Sequence, residues 1–345
     1  MERKKTELGE LRQDIITGKW VVIATTRAKR PNDLAEKEEI KPPLVHYKED
    51  CPFCNLIDNP QEPDLLRLPD SDEDWQVHIF ANKYPAFVPG DEVENWMVGP
   101  HRVLSANGYH ELLATRWHDQ SEALNPVSTI ELQLEAFVLR YRQLKTKPAV
   151  NYIQIIRNYG AIAGASQEHP HNQIFTTPVL PSDVHDMLHG AEYYAHREGR
   201  DPFTALLEFE LAEGTRIVWQ NEHFVVLCPF ASRVPFETWI VPREPEPFFE
   251  NLDPPRRTAL AEAMQQVFRR LAKGLHDPAY NYFIFSAPCD DTGIACNREA
   301  FQHYRWHLAI TPRFGSWGGF EMATSLEINP TLPEEAAEFL REVVL

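Results

Sequence analysis

The sequence reads as one design used twice, and that repeat limits the possible folds more than any other feature. The first half contains Trp75-Gln-Val-His-Ile-Phe-Ala-Asn-Lys-Tyr-Pro, an alternating strand that closes in a proline turn. The second half answers with Val218-Trp-Gln-Asn-Glu-His-Phe-Val-Val-Leu-Cys-Pro. A helix is expected after each. Ser128 with Glu131 forms a capping box before the apolar stripe Ile130, Leu134, Phe137, Val138 and Tyr141. Asp253 with Pro254 opens the second, striped by Leu260, Met264, Val267, Phe268 and Leu271. Each half continues through a β-rich segment, at Tyr152 and at Tyr282, and closes on a strand ending in Thr-Pro. Aligning those Thr-Pro pairs sets His169 against His303 and His171 against Arg305. The expectation is a duplicated α+β fold with one active half. Residues 1–190 form the catalytic unit and 191–345 a copy without the nucleophile. A helical connector is expected at about residues 182–213, and a last helix from near Thr331, capped by Glu334.

Ser166-Gln-Glu-His-Pro-His-Asn-Gln173 carries the chemistry. Pro170 stiffens the backbone between two histidines, and Gln173 returns to the face of His171 on an alternating strand. One imidazole can bind a metal or hold its neighbour while the other attacks an electrophile. The glutamine amide can donate to an oxygen that gains negative charge. This suits displacement at phosphorus.

Cys51-Pro-Phe-Cys54 is a C-x-x-C in a proline-containing turn, a spacing that grips one Zn²⁺. A redox pair would need a strand before it and a helix after it, and the flanking residues offer neither. Histidines must complete the set. His169 is the natural candidate for one, and His101, His110 and His118 are the choices for the other, with His118 favoured at the end of a strand starting near Gly108. Such a metal would be structural, its four positions filled by protein, and would fix the strand bearing His171.

The net charge of −17 argues against a nucleic-acid surface, which needs a basic footprint. A few arginines in a cleft still suffice for a nucleotide. No run of about 18 apolar residues occurs, so no membrane span is expected. The charged N-terminal segment does not read as a signal peptide. Five cysteines in 345 residues are too sparse for a disulfide framework, and a cytoplasmic location is the expectation.

Taken together, these segments resemble the galactose-1-phosphate uridylyltransferase family of the histidine-triad superfamily, including its ADP-glucose phosphorylase branch. The likeness runs along nearly the whole chain. It is carried by Arg27-Ala-Lys-Arg30-Pro, Cys51 and Cys54, Ala81-Asn82-Lys-Tyr-Pro-Ala, and Asn158-Tyr-Gly with Gly164-Ala-Ser166. The His-Pro-His segment and Gly319-Phe-Glu321-Met with Ile328-Asn-Pro add to it. The resemblance implies two antiparallel half-barrel sheets with packed helices. It implies a ping-pong transfer in which His171 carries a nucleoside monophosphate between a nucleotide sugar and a sugar 1-phosphate. Gln173 and Ser166 would bond the non-bridging oxygens, and Arg27 and Arg30 would neutralise phosphate. Asn82, Asn158 and the Gly164 loop would hold the nucleoside. Glu321 would accept from sugar hydroxyls across a homodimer interface with shared active sites. Zn²⁺ would sit on Cys51, Cys54, His118 and His169.

Some members carry a second, iron-type site. The aligned positions here hold Met187, Phe285, Arg305 and His307, so that site is expected to be absent. Asn172 is a mild departure from the family pattern, whereas Phe320 and Gly315 depart from the uridylyltransferases at positions that touch sugar recognition and leave the sugar open. UDP-glucose:hexose-1-phosphate uridylyl transfer is the first expectation. ADP-glucose phosphorolysis, with inorganic phosphate as acceptor, is the second. A non-catalytic nucleotide sensor is the third.

Overall fold

The computed structural model describes residues 9–24, 45–56, 63–71, 73–289, 301–315 and 317–345. The first half supplies strands β1 (Glu10–Gln13), β2 (Trp20–Ile23), β3 (Asp64–Leu68), β4 (Val77–Ala81), β5 (Asn95–Val98), β6 (His101–Leu104), β7 (His110–Thr115), β8 (Tyr152–Tyr159) and β9 (His171–Thr177). The second adds β10 (Ile217–Gln220), β11 (Phe224–Leu227), β12 (Thr238–Pro242), β13 (Tyr280–Phe285), β14 (His307–Pro312) and β15 (Ile328–Asn329).

Ten strands form one sheet in the order β10-β11-β12-β14-β13-β8-β9-β7-β4-β3. Each half gives five of them, and the order on one side of the β13–β8 seam mirrors the other. The expected half-sheets are present and are fused edge to edge, with Tyr280 opposite Tyr159 and Ile284 opposite Ile155. Fusion leaves neither half with an open edge at the seam.

Alternation divides the sheet into two faces. Ile153, Ile155, Ile174, Leu113, Tyr282 and Leu308 look to one side and pack with the helices Val127–Leu144 and Pro254–Gly274. Both apolar stripes anticipated for those helices are buried there. Each large side chain so buried contributes about 1.5–3 kcal/mol. The other face carries His171 and Gln173 in the first half. In the second half it is covered by the connector helices Ser182–Glu198 and Pro202–Glu213. Residue 190 falls inside the former.

Two expected helix starts are corrected. The first long helix begins at Val127 with Pro126 as its N-cap, so Ser128 and Glu131 make no capping box. Pro126, extended and without an N–H, already sets that start. The last helix runs Pro333–Glu342 from Leu332, and Glu334 bonds Arg12 and Arg216 instead of capping from Thr331. Asp253 does cap its helix, accepting from the Arg256 N–H at 3.0 Å.

The alignment of halves also shifts by two residues. His171 opens β9 and His307 opens β14, and each Nδ1 faces the carbonyl oxygen two residues back, at 2.8 and 3.3 Å. The counterpart of His171 is therefore His307, not Arg305. Aligning on Thr-Pro misplaces the strand start because β9 ends before its proline while β14 includes Pro312. Among the described residues no helix is long and apolar enough to cross a membrane.

Candidate active site and metal centre

Cys51, Cys54, His118 and His169 converge so that their ligand atoms all lie within 4.8 Å of one another. Cys54 Sγ stands 3.4 Å from both His118 Nδ1 and His169 Nδ1, and Cys51 Sγ is 3.6 Å from His169 Nδ1. Ordinary Zn–S and Zn–N bonds at tetrahedral angles put sulfur and nitrogen about 3.6 Å apart. The donor set and its spacing fit a tetrahedral metal. His101 and His110 take no part in the cluster. His118 lies three residues beyond β7 rather than at its end, and its N–H donates to the His46 carbonyl at 3.2 Å. His169 Nε2–H donates to the Thr115 carbonyl at 2.6 Å, which leaves Nδ1 as the ligating atom. Burial pushes the Cys54 thiol up to about 11, and the adjacent Cys51 adds to this. Two sulfurs so placed ionise together only beside a cation.

His171 follows directly on this cluster. Its Nδ1–H donates to the His169 carbonyl at 2.8 Å, which fixes the tautomer and leaves a lone pair on Nε2. Burial, and then the Arg157 charge, lower its pKa to about 4, so the ring is neutral at pH 7. The ring is 6% exposed and meets the edge of Phe53 at 5.3 Å.

Gln173 shares this face, opposite Leu112 on β7 and Ile156 on β8. Its Oε1 lies 3.0 Å from His110 Nε2. Asn158 ends the same row, and its Oδ1 accepts from Asn281 Nδ2 at 2.8 Å. Asn281 also donates to the Ala163 carbonyl, which ties the loop to β13. In that loop Gly164 adopts φ +86°, a left-handed conformation suited to glycine, and Ser166 is exposed. Asn82 shapes its turn by accepting from the Tyr84 N–H at 2.9 Å. Glu321 is half-buried on the short helix Gly319–Thr324 of the second half. Arg27 and Arg30 lie outside the described residues.

The equivalent face of the second half holds a cavity of about 400 Å³ lined by Trp239, Phe285 and Ala309 of the sheet and Met187 of the covering helix. Register sets Ala309 where Gln173 stands and Phe285 where Asn158 stands. The amide donors are thus gone from this copy. His307 is enclosed by Phe203, Trp239, Phe285 and Tyr304, and its Nε2 has no hydrogen-bond partner among the described residues. Met187 and Phe285 offer no hard metal ligand at the iron-type positions. Arg305 is committed to the carbonyls of Pro242 and Arg243.

Residues 1–181 match the family model described as galactose-1-phosphate uridyl transferase, N-terminal domain. The chain belongs to this family. It is 33% identical to the ADP-glucose phosphorylase of Arabidopsis thaliana over 97% of this chain and 93% of that one. It is 28% identical to the galactose-1-phosphate uridylyltransferase of Thermotoga maritima over 96% of this chain and 98% of that one. The crystal structure of an Arabidopsis thaliana ADP-glucose phosphorylase with bound ADP-glucose superposes with a TM-score of 0.81. That alignment has 30% identity over 98% of this chain and all of the other. The family is one of nucleotidyltransferases, and this chain is an enzyme of that class.

Sequence reasoning missed four contributors. Phe53 packs against the His171 ring, Arg157 lies beneath it, Asn281 anchors the loop from the other half, and His110, weighed in the sequence only as a metal ligand, bonds Gln173.

Proposed function

We propose that the chain exchanges a nucleoside monophosphate between a nucleotide sugar and a phosphate acceptor through a nucleotidyl-His171 intermediate. One observation carries this: Nδ1–H of His171 is engaged by the His169 carbonyl, so Nε2 is the free nucleophile. In the first step Nε2 attacks the α-phosphorus. The P–N bond forms as the P–O bond to the β-phosphate breaks, and the electron pair leaves with the sugar 1-phosphate. The ring becomes cationic, and the His169 carbonyl accepts more strongly from Nδ1–H. Gln173 and Ser166 donate to the non-bridging oxygens, and Arg27 and Arg30 offset phosphate charge. An acceptor oxygen then attacks phosphorus, the P–N bond breaks, and neutral His171 returns.

Cys51, Cys54, His118 and His169 would hold Zn²⁺, which would supply rigidity at His169, whose carbonyl aims the nucleophile. Asn158 and the Gly164 loop hold the nucleoside, with Asn82 at the neighbouring turn. Residues 1–190 act as the catalytic unit and 191–345 as its support. Glu321 reaches sugar hydroxyls in the site of a second copy, in a cytoplasmic homodimer.

Uridylyl transfer from UDP-glucose to a hexose 1-phosphate is one version. The ADP-glucose phosphorolysis version gains support from the higher identity to the Arabidopsis enzyme, 33% against 28%. Incubation with labelled UDP-glucose or ADP-glucose, then denaturation in base, tests both. Base-stable, acid-labile label on the protein is expected, and the donor that gives it names the base. Absence of label from either donor, with nucleotide still bound, leaves a sensor and ends the catalytic reading.

A further inference from the structure

We propose that His110, as its Nε2–H tautomer, fixes the orientation of the Gln173 amide and is a positioning residue for phosphoryl transfer. The proposal rests on the reading of Gln173 above. His110 opens β7 directly across from Phe175 on β9, and the two rings stack at 4.0 Å. The backbone N–H of Ala86 donates to His110 Nδ1 at 3.2 Å. A peptide N–H can only donate, so Nδ1 is unprotonated and the ring proton sits on Nε2. Nε2 stands 3.0 Å from Gln173 Oε1 and therefore donates to it.

The consequence lies in the two unlike ends of a glutamine amide. With its oxygen held by His110, the NH₂ end is the one left for a phosphoryl oxygen. A flipped amide would present oxygen to an anion and oppose the transition state. Asn82 does not compete for the ring proton. Its Nδ2 is 3.0 Å from Nε2 and 3.4 Å from Nδ1 of His110. A group in line with one ring nitrogen stands much farther from the other, so this amide is in line with neither, and its N–H cannot accept the ring proton. Burial lowers the His110 pKa, which keeps the ring neutral as the bonding requires.

The test has two independent readouts. In protein labelled with ¹⁵N-histidine, long-range ¹H–¹⁵N spectra report the tautomer of His110, assigned by its loss in His110→Phe. An Nε2–H ring is expected, and an Nδ1–H ring overturns the proposal. In steady-state transfer from ADP-glucose or UDP-glucose, His110→Phe keeps the stack on Phe175 and removes the donor. A fall in kcat of about 10-fold or more is expected, with KM for the nucleotide sugar changed less than about 2-fold. His110→Gln, whose amide N–H can donate to Gln173, should recover part of that loss. Wild-type kcat in His110→Phe overturns the proposal. A wild-type protein that transfers nothing refutes the nucleotidyl-transfer reading instead, and the tautomer alone then decides whether His110 orients the amide.

Discussion

The guanidinium of Arg157 donates to the carbonyl oxygen of His171, reaching that backbone from the helix-packed face of the sheet. It also pairs with Glu122 at 2.9 Å, and Glu122 accepts from Tyr280 OH at 2.6 Å. Tyr282 OH donates to Asn172 Oδ1 at 2.5 Å. Tyrosines of the second half thus help hold the strand that carries His171 of the first. This is a physical reason for a duplicated fold to keep its second half.

Arg157 and Glu122 are 1% and 2% exposed, so removing one strands a buried charge. Arg157→Met is expected to cost about 3–5 kcal/mol in urea unfolding. Arg157→Met with Glu122→Leu should recover most of it, because an uncompensated charge is the main penalty. Additive losses in the double variant would show that the pair is not coupled.

The metal cluster gives a second prediction. Cys54 Sγ is close to both histidine nitrogens, so Cys54→Ser withdraws the sulfur nearest the centre of the set. Zinc content by elemental analysis should fall from about one per chain to a small fraction, because serine is a poor zinc ligand at neutral pH. His171→Gly leaves all four donors in place and should keep full metal. Unchanged zinc in Cys54→Ser would remove the site from Cys51, Cys54, His118 and His169.

Much of this is legible in the sequence, for reasons that can be traced. Period-two alternation places His171 and Gln173 together because neighbours two apart in a strand share a face. The C-x-x-C turn points to the four-donor cluster because two thiolates at that spacing need only histidines from elsewhere. The β13–β8 seam is not legible, since pairing between residues far apart in sequence leaves no local signal. Nor is Arg157, which on sequence alone is a charge inside a strand. The Ser128–Glu131 pattern misleads because Pro126 already sets the helix start. Tautomers lie further out of reach, because they depend on what each ring nitrogen touches.

Gly190 illustrates a constraint that helix propensity hides. A Cβ there would lie 1.9 Å from the Ile16 carbonyl oxygen, a backbone atom that cannot swing aside. The connector helix Ser182–Glu198 rests on the turn after β1, clamped by Lys19 at 2.7 Å from Asp183 and 3.0 Å from Asp186. Alanine favours a helix interior over glycine by about 1 kcal/mol. Steric overlap is expected to outweigh that gain, giving a net loss of about 1–3 kcal/mol for Gly190→Ala. His189→Ala, one residue earlier and exposed, should stay within about 0.5 kcal/mol of wild type. A stabilised Gly190→Ala in thermal melts would mean the helix does not seat on that carbonyl.

His307 sets the acid limit of the second half. Burial, reinforced by the Arg233 charge, lowers its pKa from 6.5 to about 4, while the Arg305 carbonyl opposes the fall. In the unfolded chain the ring takes up a proton below about 6.5, whereas in the folded protein it resists until about 4. The unfolded state therefore binds more protons between these values. The stabilising contribution is present in full above pH 6.5 and is lost as the pH falls through 4. Its size over that window is roughly 3 kcal/mol for a ring 1% exposed. His307→Phe places a non-titrating ring among Phe203, Trp239, Phe285 and Tyr304. Other buried histidines titrate equally in both proteins, so the difference between wild type and His307→Phe isolates this ring. Denaturant unfolding at intervals from pH 7.5 to 4 should show wild type losing stability faster than the variant by about that amount. Parallel curves would mean that the imidazole protonates in place, and that its enclosure opens more readily than its packing implies.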